Sequence, residues 1–163
     1  PLPQFAILAE RIRILADGIP ARLFFNSRID LALSMNAGLH LPDGSDVAGA
    51  RKILGPQWPI GVSCHCLQSA LAAENAGASF VLLGPVFPAI SKHISAHPLG
   101  LLAISEISAS IAIPLVAVGG ITPLNAHDCL TAGASAVASV GALLGSADPQ
   151  RTLLHFMRAL GHL

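Results

Sequence analysis

Six short, mostly apolar runs recur along this chain about every 20 residues, and a helical stretch follows each of them. A strand apolar on both faces must be covered on both faces, and strands separated by helices run parallel. The class is therefore α/β with a buried parallel sheet. The runs are Arg22–Asn26, Gly38–Leu41, Ile60–Cys64, Phe80–Gly84, Pro114–Val118 and Ala134–Val140. Helical spacing places helices over Phe5–Gly18, Ile29–Ala37, Val47–Leu54, Leu67–Ala76, Leu101–Ala109, Pro123–Ala132 and Gln150–Leu160. Ser45 stands as N-cap of the third helix, and Thr122, followed by Pro123, as N-cap of the sixth. A closed (β/α)8 barrel uses eight strands and usually more than about 200 residues. Because a helix comes first, the simplest architecture is a TIM (β/α)8-type barrel lacking its first two strands. One domain over residues 1–163, incomplete at its N-terminal side, is expected. The competing architecture is a six-stranded doubly wound sheet.

Composition narrows the partners. The 163 residues are 53% apolar, and nine Lys and Arg balance nine Asp and Glu. Such a chain can bury a core but lacks the basic surface that nucleic acid or an anionic membrane requires. No stretch approaches the ~18 uncharged apolar residues of a membrane span, so a soluble protein is expected. Cys64 and Cys66 lie too close for an unstrained disulfide, and with three cysteines in all a reducing, cytoplasmic setting fits. Strand alternation sends His65 away from both neighbouring cysteines, which argues against a zinc site. The chain opens Pro-Leu-Pro-Gln with neither Met nor a signal pattern, so a fragment or a processed product is expected.

Ligands of either architecture gather at the carboxyl ends of the strands. The residues there are Asn26 and Ser27, His40, Ser63 and His65, Gly84, Gly119 and Gly120, and Ser139 with Gly141. Gly119-Gly120 leads toward a helix, and Gly141 stands likewise after the next strand. Backbone without Cβ beside free N–H groups suits a phosphate oxyanion, at the usual phosphate position of such barrels. The loop from Pro85 to Gly100 is long for a compact domain and carries Lys92, one of two lysines, beside Ser91 and His93. Its ammonium suits a phosphate or diphosphate. His65 shares the face of Ser63 and is a candidate general base near neutral pH. His40 is a further candidate. His93 and His97 are expected to be exposed, Cys129 to pack within its helix, and His127, His155 and His162 to lie on helix surfaces.

Asn26-Ser-Arg-Ile-Asp-Leu-Ala-Leu33, Gly38-Leu-His-Leu41, Gly61-Val-Ser-Cys-His65, Gly84-Pro-Val-Phe-Pro88, Ser91-Lys92, Pro98-Leu-Gly100 and Val118-Gly-Gly-Ile-Thr-Pro-Leu-Asn125 together resemble the thiamine phosphate synthase family, which includes a thiazole tautomerase. The likeness runs from about Ala21 to Pro149. It implies a TIM barrel whose first strand, first helix and second strand have no counterpart here. It also implies transfer of a pyrimidine methyl group from its diphosphate to a thiazole phosphate, with release of pyrophosphate and help from Mg²⁺. By resemblance Asn26 meets the pyrimidine diphosphate end, Ser63 the pyrimidine ring, Ser91 and Lys92 the diphosphate, and Gly120 the thiazole phosphate. Ser139, Gly119 and Gly141 complete the substrate-binding set, with Lys92, Ser63 and His65 as the catalytic candidates.

The departures from the family pattern matter as much. Ser27 stands where the family places a metal-binding Asp, Ala89 replaces a Thr, and a Gln and a Lys of the second strand have no counterpart. Asp46 or Asp43 is the remaining candidate for the second Mg²⁺ ligand. The string Leu41-Pro-Asp-Gly-Ser45 is similar instead to the tautomerase, which implies metal-free proton transfer by His65. A third possibility is a non-catalytic thiazole-phosphate binder. Synthase chemistry ranks first. A barrel short of two strands leaves two unpaired sheet edges, so a homo-oligomer is expected.

Overall fold

A computed structural model of the chain describes residues 2–88 and 97–162. Helix α1 (Leu2–Leu15) precedes six βα units. They are β1 (Phe24–Asn26) and α2 (Ile29–Ser34), β2 (Gly38–Leu41) and α3 (Val47–Leu54), and β3 (Ile60–Cys64) and α4 (Leu67–Asn75). After these come β4 (Phe80–Leu83) and α5 (Gly100–Ser108), β5 (Leu115–Val118) and α6 (Ala126–Thr131), and β6 (Ala136–Ala138) with α7 (Gly141–Leu144) and α8 (Pro149–Ala159). All pairings are parallel, and the strand order is β1-β2-β3-β4-β5-β6. A doubly wound sheet reverses its order at a switch point, whereas here each strand pairs with the next one along the chain. This is the winding of a TIM-type barrel wall, and the doubly wound alternative falls.

The two faces of the sheet differ. Leu39, Leu41, Ile60, Val62, Cys64, Val81, Leu83, Leu115 and Ala117 are buried under the helices and form the core. The opposite face carries Phe24, Asn26, His40, Ser63, Phe80, Leu82 and Val116, all partly or largely exposed. At the amino end of that face two aromatic rings lie on two glycines. The Phe24 and Phe80 rings meet edge to face at 5.4 Å between centroids. A Cβ on Gly38 would fall 2.3 Å from the Phe24 ring, and one on Gly61 would fall 2.4 Å from the Phe80 ring. The glycines therefore give the rings their seats. Arg51 of α3 ties the loops behind the sheet, donating to the carbonyls of Gly77, Gly55 and Trp58 and to Ser79 Oγ.

Several local expectations need correction. Asp46 rather than Ser45 caps α3, its Oδ1 accepting the Gly49 N–H at 2.8 Å, while Ser45 Oγ donates to the Pro42 carbonyl. Helix α6 starts at Ala126 and not beside Thr122, because Asn125 captures the Thr122 N–H in a turn before the helix begins. Strand β6 is shorter than Ala134–Val140, and the single turn α7 separates it from α8, which Asp148 caps. His65 and Cys66 both lie beyond the end of β3, Cys66 as the N-cap of α4 with its sulfur accepting the Ser69 N–H, so the strand alternation argument stops at Cys64. Cys64 and Cys129 are buried, whereas Cys66 is exposed.

Candidate active site

A cleft of about 730 Å³ opens at the carboxyl ends of β3 to β6. Seven of the strand-end residues proposed from the sequence, Ser63, His65, Gly84, Gly119, Gly120, Ser139 and Gly141, line it. The rest of the wall is largely apolar, with Leu82, Pro85, Val118, Ile121 and Val140 facing the opening. Apolar walls around a few convergent polar groups are the usual make-up of a small-molecule site.

The phosphate candidates are built from backbone. Gly119 and Gly120 have φ of 91° and 65°. A Cβ on Gly119 would fall 2.6 Å from Pro85 Cα, and one on Gly120 would fall 2.7 Å from the Phe87 and Pro88 carbonyl oxygens. The glycine pair is thus required twice, by the left-handed turn and by the close approach of the segment after β4. The N–H groups of Gly119, Gly120, Ile121, Gly141 and Ala142 donate to no acceptor among the described residues. Ser139 is otherwise engaged, its Oγ donating to the Ile121 carbonyl at 2.8 Å.

His65 is held by one ring nitrogen. Nδ1 hydrogen-bonds the carbonyl oxygen of Gly84. A carbonyl only accepts, so Nδ1 carries the proton and the neutral ring keeps its lone pair on Nε2. That arrangement leaves a fixed base or acceptor on the cleft wall. Sequence reasoning missed the partner of Ser63, whose Oγ lies 2.9 Å from Nε2 of His40. The two stand diagonally across β2 and β3 on the same face, a relation that follows from the register of the two strands and not from alternation within either one.

Burial lowers the pKa of His40, so folding favours its neutral form. A histidine titrates near ~6.5 when unfolded and lower here, so the stability it contributes is complete above that value and is lost as pH falls toward the folded value. Thermal melts from pH about 7.5 to about 5.5 are expected to show a falling midpoint with a shallower slope in His40→Gln. Equal slopes in the two proteins would rule His40 out as the source.

Other proposed residues sit elsewhere. Asn26 is exposed at the end of β1, opposite His40 in register and away from the cleft wall. Asp46 serves as a helix cap, and among the described residues no three His, Cys, Asp or Glu side chains gather as metal ligands. Ser91, Lys92, His93 and Ala89 lie outside the described residues. His97, His127, His155 and His162 are exposed, the last just beyond α8. Among the described residues no helix is long and apolar enough to cross a membrane.

The likeness to known proteins covers both sheet and cleft. A putative thiamine-phosphate synthase of Geobacter sulfurreducens is 41% identical over 145 residues, covering 88% of this chain and 68% of its own length. A thiamine-phosphate synthase of Chlorobium phaeobacteroides is 45% identical over 132 residues, covering 80% of this chain and 64% of its own. The chain thus spans about two thirds of these relatives. The structure of a thiamine phosphate pyrophosphorylase from Pyrococcus furiosus superposes with a TM-score of 0.89 at 30% identity, over 99% of this chain and 78% of that one. A 3-hexulose-6-phosphate synthase matches at 0.74 with 20% identity, a likeness of fold alone. The profile of the thiamine monophosphate synthase family matches residues 3–143, a span holding every strand and the wall residues of the cleft up to Ala142, and the chain is a member of that family.

Proposed function

We propose that this chain acts in thiamine biosynthesis as a thiamine phosphate synthase-type transferase. The observation that carries this reading is the row of N–H groups at Gly119, Gly120, Ile121, Gly141 and Ala142 that donate to no acceptor among the described residues, in a cleft with apolar walls. The thiazole phosphate would take those donors, and its ring would lie against Leu82, Val118 and Ile121. The bond from the pyrimidine methylene carbon to the diphosphate oxygen breaks, its electron pair leaving with pyrophosphate, and a bond from that carbon to the thiazole forms. The chain holds the acceptor in place, excludes water with the apolar wall, and offsets the charge that builds on the departing diphosphate. Preorganised donors aimed at developing charge supply much of the rate in such reactions. Lys92 and Ser91 are assigned to that end by the family pattern, Ser63 to the pyrimidine ring and Asn26 to the diphosphate side.

Calorimetric titration is expected to show saturable binding of thiazole phosphate, with inorganic phosphate competing, and incubation with both substrates is expected to yield thiamine phosphate. An absence of heat at about millimolar thiazole phosphate would sink the reading.

One observation favours a second reading. His65, with its proton fixed on Nδ1 and Nε2 free, is arranged as a general base of the kind an isomerisation of thiazole phosphate requires. Binding of thiazole phosphate without conversion of either substrate would point instead to a non-catalytic binder. Self-association and a cytoplasmic location belong to the proposal as well. Among the described residues β1 and β6 each pair on one side only, and an unpaired edge recruits further strands.

A further inference from the structure

From the hydrogen bonds around the Gly120 turn we infer that Asn125 is a positioning residue for the phosphate cradle, acting through the backbone without touching the ligand. The inference rests on the phosphate-site reading above. In a trans peptide unit the carbonyl and the following N–H point in opposite directions, so anchoring one carbonyl aims the next N–H. The carbonyls from Val118 to Thr122 are all anchored. Val86 N–H holds the Val118 carbonyl at 2.9 Å and Phe87 N–H holds that of Gly119 at 3.1 Å, which aims the N–H groups of Gly119 and Gly120. Both anchors are main chain. The Gly120 carbonyl is different, since it accepts from the side-chain Nδ2 of Asn125 at 3.1 Å. That bond aims the N–H of Ile121, a residue of the cleft wall.

The other end of the same amide completes the clamp. Asn125 Oδ1 accepts the Thr122 N–H at 2.8 Å, and Ser139 Oγ holds the intervening Ile121 carbonyl at 2.8 Å. The Thr122 N–H is thereby taken out of competition for the ligand. Of the three donors on this side of the cradle, two are aimed by main chain and one depends on a side chain. Asn is suited to the task because its amide both donates and accepts across a span of three residues. The Ile121 side chain is buried at 3% exposure, which keeps the peptide from turning about its own axis.

The test separates phosphate recognition from folding. Wild type, Asn125→Ala and Asn125→Asp are titrated calorimetrically with thiazole phosphate and with the same thiazole lacking its phosphate, and their melting midpoints are recorded. One hydrogen bond to a charged group corresponds to about a 10- to 100-fold change in affinity. Asn125→Ala is expected to weaken thiazole phosphate by that factor and to leave the unphosphorylated thiazole unchanged. Asn125→Asp keeps the size and the acceptor for Thr122 but cannot donate to Gly120, so it should show the same selective loss and covers the case in which the alanine variant does not fold. Equal weakening of both ligands, or unchanged affinity for thiazole phosphate in a folded variant, overturns the inference alone. A wild-type chain that gains no affinity from the phosphate overturns the functional reading and this inference with it.

Discussion

A Gly120→Ala chain is expected to lose measurable thiazole-phosphate binding and to melt well below the parent protein. The new Cβ would lie 2.7 Å from Phe87 Cβ, from the Phe87 carbonyl oxygen and from the Pro88 carbonyl oxygen, at a φ of 65°. Two of these three atoms are backbone, so relief requires the segment after β4 to retreat and release its bond from Phe87 N–H to the Gly119 carbonyl. The left-handed conformation costs roughly 1–2 kcal/mol for a residue with a Cβ, and overpacking adds about 1–3 kcal/mol. A loss of about 2–5 kcal/mol is a large part of the ~5–15 kcal/mol that holds a domain together. Gly18→Ala provides the reference, because Gly18 has a φ of 75° but nothing within 4 Å of its Cβ position. Thermal melts of both variants beside calorimetry with thiazole phosphate check the expectation. If the two variants lose equal stability, the close approach at Gly120 carries no weight.

The second large effect separates the two chemistries. Under the proposed transfer, Lys92→Ala is expected to lower turnover by roughly 10²- to 10³-fold, the scale of removing one group that stabilises developing charge. His65→Ala should then cost much less. Under isomerisation the order reverses, since general acid–base catalysis is worth roughly 10²- to 10⁴-fold and would reside in His65. Each variant is assayed for thiamine phosphate formation and for thiazole isomerisation, with thiazole-phosphate affinity as the control for folding. Isomerisation abolished in His65→Ala, with no thiamine phosphate formed by the parent chain, would overturn the assignment as a transferase.

Much of the architecture was legible because the sheet-forming runs are apolar wherever helices cover them. Gly38–Leu41, Ile60–Cys64 and Val47–Leu54 fall where the pattern puts them, each bounded by a glycine, a proline or a polar residue that ends the element sharply. Elements stopped by tertiary bonds were less legible. The late start of α6 depends on an asparagine capturing an N–H three residues back, and Thr122-Pro123 reads locally as a helix start. At the site, the glycines could be read from sequence because a missing Cβ is a sequence fact. The His40–Ser63 contact required the strand register, and the Asn125 clamp required the path of the turn. Asp46 was read as a metal candidate because a carboxylate after a strand fits that role, and its capping of α3 through Oδ1 became visible only with the path of the loop before the helix.

The consecutive strand order also bears on how the chain acquires its structure. Among the described residues every strand pairs only with the strand before it and the strand after it along the chain, so each pairing closes a loop of one βα unit. Loop-closure entropy is then met in small, similar increments. Such a chain can form by zippering outward from any adjacent pair, as arrays of repeated units do, with coupling that passes from neighbour to neighbour. The middle pair β3–β4 has partners on both flanks, while β1 and β6 have one each among the described residues. Opening should therefore begin at the outer strands and reach the Phe24–Phe80 contact early, before the inner strands on which Ser63 and Gly84 are mounted have separated.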